Sequence, residues 1–181
     1  MAQPHLLFLC TGNAARSVMA GAIAAQTVPD ARVTTAGTLV LEGQPMSMRT
    51  RRALSAIGMN ADGHRSRQLR DTDLADVDLI VAFAAEHVHY VRRTHPEAAA
   101  RTATLKRLVR DLPNTEGTLA ARVAALDLAN TTLEPWEDVI DPAAGDQFIF
   151  NECAEEILEL LRRLAAVVGI AEERGGDARS R

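Results

Sequence analysis

Cys10 and Arg16, with five residues between them, bracket a stretch that reads Cys10-Thr11-Gly12-Asn13-Ala14-Ala15-Arg16-Ser17. It follows a short apolar run, Leu6-Leu7-Phe8-Leu9. A buried strand that turns sharply into a helix gathers backbone N–H groups at one concave spot, and an oxyanion sits there readily. The same positive surroundings favour Cys10 as a nucleophilic thiolate. Gly12 and Asn13 both tolerate positive φ, which suits a loop that curls its amides inward. The planar fork of Arg16 grips two oxygens of a phosphate at once. A thiol and a guanidinium flanking a phosphate-sized cradle is the layout of thiol-based phosphate chemistry. Ser17 is placed to cap the helix that opens at Val18, and its hydroxyl is also within reach of the cysteine sulfur.

The elements that must position this stretch are legible as an alternation of strands and helices. Leu6–Leu9 reads as a buried parallel strand, followed by a helix from Val18 to about Thr27 that ends before Pro29. Ala31–Ala36 alternates and is β-branched, giving a second strand. A helix is expected from Ser47 to Ile57 with Gly58 as its C-cap, and a brief helical turn at Asp71–Leu74. Asp78–Phe83 is the third strand, and a helix over Glu86–Thr94 is stopped by Pro96. Thr102–Leu105 is a short fourth strand, followed by a helical piece over Lys106–Leu112. Leu119–Leu128 is expected to be helical, Asp141–Asp146 a loop, and Gln147–Val168 a long amphipathic helix. Phe148 and Phe150 are assigned to the core of that last helix. The pattern predicts an α/β fold: a four-stranded parallel sheet with helices on both faces and a phosphate-binding loop after strand 1. In such sheets ligands sit at the carboxyl ends of the strands, where Cys10 falls.

At 181 residues the chain is read as one domain over residues 1–171, with a polar, disordered tail over 172–181. A net charge of −4 argues against nucleic acid or an anionic membrane as a partner. Two cysteines, Cys10 and Cys153, are too few for a disulfide scaffold. The start of the chain lacks the basic region of a signal peptide, and no apolar run is long enough to span a bilayer, so a cytoplasmic location is expected. Nearly all basic residues are arginine, Lys106 being the single lysine, which reads as a compositional habit. His87 and His89 are read as surface residues, with nothing nearby to complete a metal site.

Cys10 to Ser17 resembles the phosphate-binding loop of the low-molecular-weight protein-tyrosine-phosphatase family, including its placement near the N-terminus. The resemblance extends to Thr35-Ala36-Gly37-Thr38, to Gly63-His64-Arg65-Ser66-Arg67-Gln68-Leu69, to the central strand at Asp78–Ala82, and to Asp141-Pro142. It implies a hydrolase, a cysteine-dependent protein phosphatase that acts on phosphotyrosine-type phosphomonoesters through a phosphocysteine intermediate. Cys10 would be the nucleophile, Arg16 and the amides of Thr11, Gly12, Asn13, Ala14, Ala15 and Ser17 the phosphate ligands, and Asp141 the general acid. Thr35 and His64, with Asn13 and Ser17, would hold the loop's shape. No metal or other cofactor is implied. The partner would be a phosphorylated protein or small phosphomonoester, and phosphate-like anions would bind. Where the family carries aromatic residues around its pocket, this chain has Leu39-Val40-Leu41 and Ala143-Ala144. The segment from Asp141 to Gly145 also resembles the bacterial protein-arginine phosphatase branch, although Ala14 stands where that branch carries threonine. Protein-arginine phosphatase is therefore one alternative. Arsenate reduction using a small thiol is another, and a non-catalytic phosphate-binding module a third.

Overall fold

A computed structural model describes residues 3–173. Four parallel strands form one sheet: β1 (His5–Cys10), β2 (Arg32–Gly37), β3 (Leu79–Ala82) and β4 (Thr102–Thr104), in the order β2-β1-β3-β4. Cys10 pairs with Gly37 at the carboxyl edge, where the chain has crossed to β2 on one side of β1 and later returns to β3 on the other. That reversal of direction opens the crevice in which doubly wound sheets bind ligands.

Every residue of β1 is buried, which is why its sequence is a continuous apolar run rather than an alternation. Its side chains divide between two cores. Leu6, Phe8 and Cys10 join residues of α1 (Arg16–Thr27), α2 (Met48–Ala56), α4 (Leu105–Asp111) and α6 (Gln147–Glu173). Leu7 and Leu9 face the other way, onto Leu74, Val91 and Ala98, under α3 (Ala85–Thr94) and two 3-10 turns, Asp71–Asp73 and Pro96–Arg101. Helices therefore cover both faces, as expected.

Local chemistry sets most of the boundaries. Ser47 caps α2 by accepting from the Thr50 amide at 3.1 Å, and Gly58 follows that helix at φ 74°. The third strand stops short of Asp78, whose carboxylate accepts the His5 amide at 2.7 Å and anchors the start of β1. The helix expected over residues 119–128 is shorter: α5 spans Leu119–Ala124. Asp127 takes φ 47°, turning the chain so that Leu128 plugs into the core. At the other end α6 continues to Glu173, two residues into the expected tail; residues 174–181 lie outside the described residues.

The stretch between α4 and the acid loop is held by arginines. Arg92 donates to the carbonyls of Leu128 and Thr131 at 2.6 and 2.7 Å, and Arg122 to those of Pro113 and Val167 at 2.8 and 2.9 Å. Arg107 donates to Thr132 O at 2.9 Å and forms a buried pair with Glu137, a fully buried carboxylate. Glu137 also accepts from Thr104 Oγ1 at 2.7 Å and from the Glu134 amide at 2.8 Å. The arginine richness is thus used: a planar fork reaches two separate acceptors where an ammonium offers a point charge. Glu137→Ala removes the fully buried partner of Arg107 and leaves it only Asp111 as a counter-charge, and chemical denaturation should show a loss of about 3 kcal/mol. Replacing both partners by leucine should cost less, because no buried charge is then left unpaired.

Candidate active site

The loop between β1 and α1 is organised by Asn13. Its backbone takes φ 49°, so the left-handed turn falls on the asparagine and not on Gly12, whose φ is not positive. Asparagine adopts this region because its short polar side chain bonds locally. The glycine that the loop needs for space is Gly37, at the end of β2. A Cβ there would lie 2.5 Å from Thr11 O and 3.0 Å from Asn13 N.

The Asn13 side chain can be oriented from its partners. The Arg67 amide donates to Asn13 Oδ1 at 3.0 Å, which leaves Nδ2 to donate to Ser17 Oγ at 2.9 Å and to Thr35 Oγ1 at 3.0 Å. Ser17 Oγ, which accepts from Asn13 Nδ2, lies 3.0 Å from Cys10 Sγ and is the donor of that bond when the sulfur is a thiolate. Ser17 is fully buried and lies inside α1, whose N-cap is Ala15, so the expected capping role is not found. Its hydroxyl is committed to Asn13 and the sulfur instead. His64 Nε2 lies 2.8 Å from Asn13 O, an atom that can only accept, so this nitrogen carries the proton. Burial holds the His64 ring below the ordinary histidine pKa, the Asn13 carbonyl raises it, and Arg65 lowers it. Thr50 Oγ1 donates to Ala14 O at 2.9 Å.

Ala15 offers the first turn of α1 no side-chain cap, and that turn carries no acidic residue. The amides of Thr11 to Ser17 and the start of α1 are therefore available to an anion beside Cys10. Arg16 is almost fully buried, and its guanidinium donates to Asp141 Oδ2 at 3.0 Å and to Val139 O at 3.5 Å. Asp141, 125 positions away in sequence, is thereby brought to the same loop as Cys10. Its segment is tied down on either side. The Val139 amide donates to Phe83 O at 2.8 Å, and Cys153 Sγ donates to Ile140 O at 3.6 Å. Burial pushes the Cys153 thiol up to about 12, partly opposed by the positive charge of Arg16. Cys153 is therefore a packed thiol.

Two side chains differ from expectation. His87 is buried, not on the surface, with Nε2 3.0 Å from Thr11 Oγ1. Burial, then the charge of Arg16, push its pKa down to about 3. His89, by contrast, is exposed. The signal was available: His87, Val88 and Val91 form the buried stripe of α3, and position 89 falls outside it. Phe150 is in the core, but Phe148 is 63% exposed at the start of α6. Leu39, Leu41 and Ile140 are exposed in the segments that flank the loop, where Leu39 N donates to Thr11 O at 3.0 Å. Among the described residues, one group has ligand atoms close enough to share a metal ion. It is Asp71, His95 and Glu97, within 4.8 Å of one another and with no member in the loop. No helix among the described residues is long and apolar enough to cross a membrane.

This sheet, with its cysteine loop at the reversal of strand order, is the framework of a thiol phosphatase. Residues 5–119 match the family model described as low molecular weight phosphotyrosine protein phosphatase. A low molecular weight protein-tyrosine-phosphatase of Streptomyces coelicolor is 33% identical over 171 residues, covering 91% of this chain and 93% of that protein. A protein-arginine-phosphatase of Geobacillus stearothermophilus is 29% identical over 162 residues, covering 89% and 93%. Among solved structures, the YwlE arginine phosphatase of the same organism superposes with a TM-score of 0.74 at 26% identity, covering 98% of this chain and 99% of that one. The chain belongs to the low molecular weight phosphotyrosine protein phosphatase family, a family of cysteine-based hydrolases.

Because His87 is neutral when folded and titrates near 6.5 when unfolded, the unfolded chain binds the extra proton as pH falls. Its contribution is present above pH 6.5 and is lost on acidification toward pH 3. Between pH 7 and 5 this amounts to about 2 kcal/mol. Denaturant titrations at the two pH values should show that difference shrink in His87→Gln relative to the wild type.

Proposed function

We propose that the protein hydrolyses phosphotyrosine-type phosphomonoesters on proteins, with Cys10 as nucleophile, Arg16 as phosphate ligand and Asp141 as general acid. The observation that carries the reading is the bond from Arg16 to Asp141, which joins a distant acid to the cysteine loop. Cys10 Sγ attacks phosphorus, the P–O ester bond breaks, and the departing oxygen takes its electron pair and a proton from Asp141. Arg16 and the loop amides of Thr11 to Ser17 carry the charge of the equatorial oxygens. Water then attacks the phosphocysteine, Asp141 accepts its proton, and the P–S bond breaks to return the thiolate. Hydrogen-bond donation from Ser17 makes the sulfur a better leaving group in this second step. Asn13, Thr35 and His64 act by holding the loop.

The exposed Leu39, Leu41 and Ile140 support an aryl substrate, since apolar walls beside the loop suit a phenyl ring even without aromatic side chains. The arginine-phosphatase reading is favoured by a different observation. Two exposed carboxylates touch the loop, Glu86 on Thr11 Oγ1 at 3.1 Å and Asp141 on Arg16, and such a setting suits a cationic guanidinium phosphate. Residues 1–171 are read as one domain of this family, supported by a core that runs continuously from Leu6 to Val168. A cytoplasmic location is part of the same proposal, supported by two free cysteines.

Rapid mixing with an aryl phosphate should give a burst of product that disappears in Cys10→Ser, and Asp141→Ala should slow turnover by about 10²–10⁴-fold. Retained turnover in Cys10→Ser would sink the mechanism. Phosphotyrosine and phosphoarginine peptides run in parallel, with arsenate plus thiol as a third arm, decide the substrate. Faster turnover of phosphoarginine would transfer the assignment to the second reading.

A further inference from the structure

We infer that His87 is a positioning residue for the phosphate loop: as a neutral ring it fixes the Thr11 hydroxyl and, through it, the first turn after Cys10. The inference rests on the family reading of the loop as the phosphate site.

The direction of each hydrogen bond follows from its neighbour. The Phe83 amide donates to His87 Nδ1 at 3.4 Å, so Nδ1 presents its lone pair. In a neutral imidazole the proton then resides on Nε2, which lies 3.0 Å from Thr11 Oγ1 and donates to it. Having accepted there, the Thr11 hydroxyl turns its own hydrogen to Glu86 Oε1 at 3.1 Å. The same Nε2 lies 3.3 Å from that carboxylate oxygen, so imidazole, hydroxyl and carboxylate close a triangle. A polar order runs from the end of β3, through the first turn of α3, to the residue after the nucleophile.

The protonation state suits this task. Burial and the Arg16 guanidinium both disfavour a charged ring, and Arg16 is the charge on the phosphate loop that acts on it. A protonated ring would set an N–H at Nδ1 against the Phe83 amide. Thr11 is also held from the opposite side, where its carbonyl accepts from Leu39 N at 3.0 Å. Asn13 is held separately, by Ser17, Thr35, His64 and Arg67. The loop thus has two clamps, and His87 belongs to the one on the residue next to the cysteine in sequence. An anion cradle made of amides binds well only when those amides are already aimed, because aiming them on binding costs affinity.

The experiment measures binding of inorganic phosphate and steady-state turnover of an aryl phosphate in His87→Leu, His87→Gln, Thr11→Val and the double variant Thr11→Val/His87→Leu. Loss of the donor should weaken phosphate binding about tenfold, a typical single-anchor effect. Glutamine, whose amide N–H can reach the same oxygen, should restore binding to within about threefold. His87→Leu should have no further effect in the Thr11→Val background, because the two side chains act as a unit. Ring ¹⁵N NMR should show one protonated and one bare nitrogen, unchanged from pH 8 to 5. Full additivity of the two changes, unaltered phosphate binding in His87→Leu, or a ring that becomes doubly protonated above pH 5 would each overturn the assignment. If His87→Leu does not fold, the glutamine and valine variants and the ring spectrum still decide it. Wild-type protein that binds phosphate but turns over no aryl phosphate would refute the proposed hydrolysis while leaving this clamp testable.

Discussion

The structure depends on one asparagine held in a conformation that most residues avoid. A non-glycine residue at positive φ needs hydrogen bonds that hold it there, and Asn13 spends its whole side chain on them. Each partner comes from a different part of the chain: Ser17 from α1, Thr35 from β2, and Arg67 from the segment after α2, with His64 on the carbonyl. The loop's curvature is therefore a tertiary product. Remove the sheet pairing that aligns Cys10 with Gly37, and neither Thr35 nor the space beside Thr11 O is in place.

The same asparagine links shape to reactivity. With Oδ1 taken by the Arg67 amide, Nδ2 donates to Ser17 Oγ, which lies 3.0 Å from the Cys10 sulfur. A main-chain amide 54 positions along the chain from Asn13 thus orients the side chain that holds Ser17 beside Cys10. Buried polar networks of this kind work only when every member is satisfied, since a single unmade bond costs about 1–3 kcal/mol. The full burial of Asn13 and Ser17 fits that requirement.

How much of this was legible depends on whether a feature is local. The sheet was readable because β1 and β3 are buried on both faces and so are apolar throughout. The cysteine loop was readable because its residue types and spacing carry the chemistry themselves. Asp141 was not: an Asp-Pro pair is a common turn, and only resemblance to a family singled it out. Of the two roles read for Ser17, the reach to the Cys10 sulfur is present at 3.0 Å, whereas the cap is not, because α1 starts one residue earlier at Arg16. His87 and His89 look alike as two histidines two apart, but the helical stripe through Val88 and Val91 separates them and buries only His87. Phe148 and Phe150 divide in the same way: two positions along a helix turn by about 200°, so one aromatic ring faces the core and the other faces out.

The charge pattern around the loop follows from the way its ends are fastened. The Asn13–Ala14 backbone is gripped by Thr50 and His64, from a stretch that carries Arg49, Arg51, Arg52, Arg65 and Arg67. Thr11 and Arg16 meet Glu86 and Asp141, from the first turn of α3 and the Asp141 loop. Some of these charges are neutralised locally, as in the Arg67 pair with Asp73 and the Arg51 pair with Asp62. The loop is thus fastened on one side by an arginine-rich stretch and on the other by two carboxylates. In the mechanism proposed above, an anion would be drawn to the amides and Arg16, while Asp141 would stay on the acidic side as the proton donor. On the proposed mechanism, separating the two signs across one loop would let the site take a phosphate dianion while Asp141 keeps its place beside the leaving group.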